Sequence, residues 1–195
     1  MNFLAHLYLS GDHEELSVGN FIADHVKGKA IEKFSAGIQH GIRFHRGIDH
    51  FTDTHQLIRE SVEHLRPGYG KYSGVVMDMF CDHFLAAGWH LWSDIPLKEF
   101  THTKYAVLLK YEDILPTRTQ HMLKYMMRDD WLSSYADPRG LNMALNGMSR
   151  RTPFVSNLQH AAAELNGDKE FYLSRFNKFF PELIEYTQSL LKEMA

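Results

Sequence analysis

Between Ser73 and Ala87 the chain is apolar on nearly every side of a helix, interrupted mainly by Asp78, Asp82 and His83. A helix that is greasy all round has no solvent face, so other elements must enclose it. Glycine and proline punctuate the rest at Gly28, Pro67 to Gly70, Pro96, Pro116, Pro138 to Gly140, Pro153, Gly167 and Pro181, and the intervals are helix-length with no run of strict alternation. We read helices over 14–28, 35–65, 73–93, 97–111, 117–130, 138–148, 154–165 and 169–193, with Ser73 as an N-cap and Pro67 to Lys71 as a loop. The expectation is an all-α bundle in a single domain, 1–195.

Composition narrows the function classes. With 44% hydrophobic and 23% charged residues the chain is ordinary for a globular protein. A formal charge of -3 argues against unspecific nucleic-acid binding. No apolar run is long enough to span a membrane, and Met1 to Leu9 lacks the basic start of a signal peptide. Cys81 is the single cysteine and sits among apolar neighbours, which suits a packed thiol in a reducing cytoplasm. No glycine-rich phosphate loop, nucleophile elbow, paired-cysteine zinc pattern or His-Glu-x-x-His run occurs. The last third, with Phe171, Phe176, Phe179, Phe180, Leu183 and Ile184, reads as packing.

Histidine stands out: there are thirteen, ten of them at or before His90. Along 38–51 a helical projection puts Ile38, Gly41, Ile42, Phe44, Ile48 and Phe51 on one apolar arc, and His45 and Asp49 fall inside it. A carboxylate on a core-facing stripe needs compensation, and an imidazole one turn away is a natural co-ligand for a cation. The plainer alternative is a core histidine bonded to a buried acid. On the enclosed helix, Asp82 and His83 could converge on an ion held between two helices, while Asp78 and Asp82 could instead pair with Arg43 or Arg46. Asp24 shares a helical face with Asn20 and Lys27. It reads either as a ligand, with Lys27 on a phosphate, or as a neutralised pair with Lys27. His6, in an apolar segment, is a further candidate ligand or a satisfied core histidine.

Four stretches together carry a family resemblance: Met1-Asn2-Phe3-Leu4-Ala5-His6-Leu7, Gly19-Asn20-Phe21-Ile22-Ala23-Asp24, His45-Arg46 through Ile48-Asp49 to Phe51-Thr52-Asp53, and Asp82-His83-Phe84-Leu85-Ala86. The sequence resembles the acyl carrier protein phosphodiesterase family over nearly its whole length. That resemblance implies an HD-domain-like helical fold and a divalent ion, Mn²⁺ foremost and Mg²⁺ next. It also implies hydrolysis of holo acyl carrier protein to the apo protein and 4'-phosphopantetheine. Both obvious doublets are written Asp-His here, at Asp49-His50 and Asp82-His83, where the HD pattern has His-Asp.

The ligand set read from this resemblance is Asp24, His45, Asp49, Asp82 and His83, a mixed nitrogen and oxygen environment suited to Mn²⁺ or Mg²⁺. Asp24, His45, Asp49, Lys27 and Arg46 are the expected catalytic group, with Lys27 and Arg46 on the phosphate oxygens. An acidic carrier protein would need a basic rim, and Lys27, Lys29, Lys33, Arg43, Arg46, Arg150 and Arg151 are the candidates. Two other readings stand beside this one: a phosphohydrolase acting on nucleotides or other small phosphate esters, and a non-catalytic helical binding module.

Overall fold

A computed structural model describes residues 1–194. Among them the regular elements are all helical: α1 (Phe3–Leu9), α2 (Glu14–Ile22), α3 (Ala36–Thr54), α4 (Gln56–Tyr69), α5 (Ser73–Ala87), α6 (Leu97–Lys110), α7 (Thr117–Arg128), α8 (Trp131–Ser134), α9 (Pro138–Arg151), α10 (Ala161–Gly167) and α11 (Lys169–Met194), with short 3₁₀ turns between several of them. The fold is all-α, as the sequence indicates. α5 is the enclosed rod: residues 79–86 are all buried, and α1, α4, α9 and α11 pack on it. α11 closes the core with Phe176, Phe179, Phe180 and Leu183, Phe176 and Phe180 stacking 5.0 Å apart.

The positions of α2 and α3 follow from two glycines. A Cβ on Gly19 would lie 2.1 Å from the Ile38 carbonyl oxygen, and one on Gly41 would lie 2.3 Å from that of Leu16. The two backbones therefore touch, which only residues without side chains permit. Above and below this crossing Ile38, Ile42, Phe44 and Ile48 are buried, the arc read from the sequence.

Several boundaries differ from the sequence reading, each for a physical reason. α1 is an additional helix. Seven residues are too few to be stable alone, and this turn is anchored from outside: the amides of Leu4 and Ala5 donate to Asp82 Oδ2 and Oδ1 at 2.8 and 3.2 Å. The single helix expected over 35–65 is two, because the chain leaves helical geometry at His55, ψ 130°. Thr52 and Thr54 just before it bond back to the carbonyls of Ile48 and His50, a pattern that loosens a helix end. The helix expected over 14–28 ends at Ile22 and continues as 3₁₀ turns. Pro67 lies inside α4, not in a loop; it falls on the exposed face, where water can satisfy the carbonyl left free. Ser73 is the first residue of α5 instead of its cap, and its hydroxyl bonds the Gly70 carbonyl.

Candidate metal centre

The crossing of α2 and α3 beside α1 brings four polar side chains to one place. His6 from α1 and His45 from α3 lie face to face, ring centroids 4.0 Å apart and 17° from parallel. Asp49, one turn along α3, reaches both: its Oδ2 is 3.0 Å from His45 Nε2 and its Oδ1 is 3.2 Å from His6 Nε2. Asp24, in the 3₁₀ turn after α2, adds Oδ1 at 3.5 Å from the same His45 nitrogen. The imidazoles are buried, whereas the Asp49 and Asp24 side chains keep 38% and 73% of their surface exposed. One end of the cluster is thus core and the other is open to solvent.

Asn20 fixes the orientation of His45. Its Nδ2 donates to the His6 carbonyl at 2.8 Å and contacts Ser10 Oγ at 2.9 Å, which turns Oδ1 toward His45 Nδ1, 3.0 Å away. An oxygen there can only accept, so Nδ1 carries a hydrogen. The amino group of Met1 approaches the far side, 3.0 Å from Asp78 Oδ1 and 3.8 Å from Asp49 Oδ1.

Electrostatics divide the group sharply. Burial disfavours a charge on His45, yet Asp24 and Asp49 outweigh it and raise its pKa to about 9. His6 goes the other way, down to about 4, through burial and the neighbouring His45. Asp49 lies well below the usual carboxylate range in spite of burial because His45 and His6 both contact it. Asp24 is lowered chiefly by His45.

Whether a cation suits these residues can be tested on the hydrogen bonds they lack. Both nitrogens of His6 and Nε2 of His45 are buried without a hydrogen-bond partner of acceptable geometry, although Asp49 oxygens lie close to both Nε2 atoms. Buried polar atoms are rarely left so. His6, His45 and Asp49 each offer one ligand atom, all within 4.8 Å of one another. Two imidazoles and a carboxylate form a donor set for a divalent ion, and the group can hold one.

The structure brings together three of the five residues read as ligands: Asp24, His45 and Asp49. Asp82 and His83 do not join them. The Asp82 carboxylate is fully buried and taken by the α1 amides, with a pKa raised to about 7 by burial against the pull of those amides. His83, 100° further round α5, places Nδ1 2.8 Å from the Tyr135 carbonyl and lines a cleft with Pro138, Arg139 and Lys169. The alternative pairing of Asp82 with Arg43 or Arg46 is not formed: Arg43 reaches Gln39 on its own helix and Arg46 reaches the Val26 carbonyl. Lys27, Lys29, Lys33, Arg43 and Arg46 are exposed on α3 and the turns before it; Arg150 and Arg151 are exposed at the end of α9, Arg151 over the Trp131 ring. His6 and Asn20 carry more of this site than the sequence signal suggested. A histidine in a seven-residue apolar segment looks like packing until α1 is seen against α3.

The fold and the site define a class: all-helical proteins with histidine and aspartate side chains gathered between helices in a group that could hold a divalent cation. Comparison with known proteins narrows this. Residues 1–183 match the family model described as acyl carrier protein phosphodiesterase. Proteins bearing that name include one from Escherichia coli, 34% identical over 95% of this chain and 96% of its own length. Others are from Photorhabdus laumondii, 30% identical over 97% and 96%, and from an Enterobacter species, 31% identical over 94% and 96%. No solved structure gives a match. The chain belongs to the acyl carrier protein phosphodiesterase family.

Proposed function

We propose that this enzyme hydrolyses the phosphodiester joining 4'-phosphopantetheine to a serine of holo acyl carrier protein, releasing the apo protein, and that it does so in the cytoplasm with Mn²⁺ as the preferred ion. Family membership supports the reaction, and one observation carries the site: two buried imidazole nitrogens, each without a hydrogen-bond partner, beside one ionised carboxylate. His6, His45 and Asp49 would hold the cation, with Asp24 adding an oxygen at the solvent edge. A divalent ion bound there would supply Lewis-acid charge and ease the deprotonation of water.

The chain's own side chains would do the rest. Lys27 and Arg46 are exposed, Arg46 reaching the Val26 carbonyl next to Lys27 in the chain, and they would neutralise the non-bridging phosphate oxygens as negative charge builds up. Water adds to phosphorus, the bond from phosphorus to the serine oxygen breaks, and a proton ends on that oxygen. Asn20 accepts from Nδ1 of His45, so that Nε2 is the nitrogen that would face the cation.

Intact-mass spectrometry tests the reading directly. Holo carrier protein incubated with the enzyme and Mn²⁺ should lose the mass of 4'-phosphopantetheine less one water, and chelator should stop the loss. Asp49→Ala should reduce turnover by at least 10³-fold, on the order seen when a group central to catalysis is removed, with helicity intact by circular dichroism. An unchanged carrier mass alongside hydrolysis of free nucleotides would favour the small-ester alternative.

A further inference from the structure

We propose a second divalent-cation site, unconnected with the first, where α4, α10 and α11 meet: His64, Glu164 and Asp168 are its ligands and Zn²⁺ or a similar transition ion its occupant. His64 lies on α4, Glu164 on α10, and Asp168 is the residue between α10 and α11. His64 Nε2 and Asp168 Oδ2 are 3.0 Å apart, and a Glu164 oxygen completes a triad whose atoms all lie within 4.8 Å. Two carboxylates facing one imidazole leave the group negative even when the imidazole is protonated. A divalent ion neutralises that imbalance.

Two features support a ligand. Tyr172, the first-turn neighbour on α11, is completely buried, and its hydroxyl has no hydrogen bond of acceptable geometry, although the Glu164 carboxylate it faces lies close. It lies behind the triad, close enough for the charges of Glu164 and Asp168, after burial itself, to raise its pKa. A buried donor aimed at a carboxylate is the arrangement that orients a metal-bound carboxylate. An open cleft of about 450 Å³ beside Glu164 and Asp168, lined also by Tyr69 and His160, leaves room for water on the ion. An imidazole with two carboxylates suits zinc and its neighbours better than calcium, which prefers six or more oxygens. An ion here would tie α4 to the junction of α10 and α11, joining segments a hundred residues apart without entering the catalytic chemistry.

The test uses the full chain and Zn²⁺ itself. Equilibrium dialysis followed by elemental analysis is performed on wild type, Asp49→Ala, His64→Ala and Glu164→Gln. The proposal expects Asp49→Ala to retain a zinc ion and both other variants to bind one ion fewer than wild type, with turnover of carrier protein unaltered. At Zn²⁺ a hundredfold above its Kd, the Asp49→Ala protein should gain roughly 5 °C in Tm, a gain absent when His64→Ala or Glu164→Gln is added. Glu164→Gln preserves shape and so reports even if His64→Ala folds poorly. Unchanged zinc stoichiometry in Glu164→Gln and His64→Ala, or no zinc on Asp49→Ala, overturns the second site and leaves the first untouched.

Discussion

His45 has every one of its polar atoms assigned a different task. Its Nδ1 hydrogen goes to Asn20, and its Nε2 faces Asp24 and Asp49. Asn20 can do this because its own amide hydrogens are spent on His6 and Ser10, which leaves the oxygen no other orientation. Asn20→Ala should therefore weaken cation binding by about 10–100-fold, the usual cost of losing an outer partner of a ligating histidine, while circular dichroism remains unchanged; equal affinity by isothermal titration would remove Asn20 from the site. The acid–base behaviour of His45 makes a second prediction. Its pKa of about 9 in the metal-free protein lies above the ordinary 6.5, so at pH 7 it is charged and cation uptake must expel a proton. Apparent affinity should climb by about tenfold per pH unit from 7 toward 9. Over the same window the metal-free protein loses the stability that protonated His45 contributes, which is fully present below 6.5 and gone above 9. Titrations in buffers of different ionisation enthalpy count the protons, and zero released at pH 7 contradicts the assignment.

The distance between α2 and α3 governs whether those side chains meet at all. Asn20 and Asp24 follow Gly19 on one side, and His45 and Asp49 follow Gly41 on the other, so the glycine contact sets the register of the site. Gly19→Ala would press a methyl group into the Ile38 carbonyl. We expect a loss of about 3 kcal/mol in urea denaturation, at the upper end of overpacking penalties, because the obstacle is backbone that cannot rotate aside. Cation affinity should fall with it. A neutral Gly19→Ala would mean that the helices separate freely. The projection of α3 onto a wheel was enough to find its buried arc and the acid and histidine within it, since 3.6-residue periodicity is local. α1 was invisible to the same reasoning: what stabilises it is a carboxylate 77 and 78 residues further on.

The whole protein carries a net charge of -3, yet Lys27, Lys29, Lys33, Arg43 and Arg46 are exposed on α3 and the turns leading into it. An acidic protein substrate would be repelled by the average surface and drawn by this part of it. KM for holo carrier protein should accordingly rise several-fold between 50 and 300 mM salt, with affinity for the ion little altered, because screening acts on exposed charges at long range and hardly on buried ligands. A salt-independent KM would mean that the basic residues do not take part in docking.

Helix-length intervals, an all-apolar segment at 73–87 and the arc through His45 and Asp49 are properties of neighbouring residues, so the order of amino acids was sufficient for the all-α class, for the enclosed α5 and for half of the site. Which acid joins the histidines and which caps a helix is decided by what comes to lie opposite. Asp49 met two imidazoles, Asp82 met the bare amides of α1, and His83 met a carbonyl from the far side of the bundle. These partners are distant in the chain, and only packing determines the distance between them.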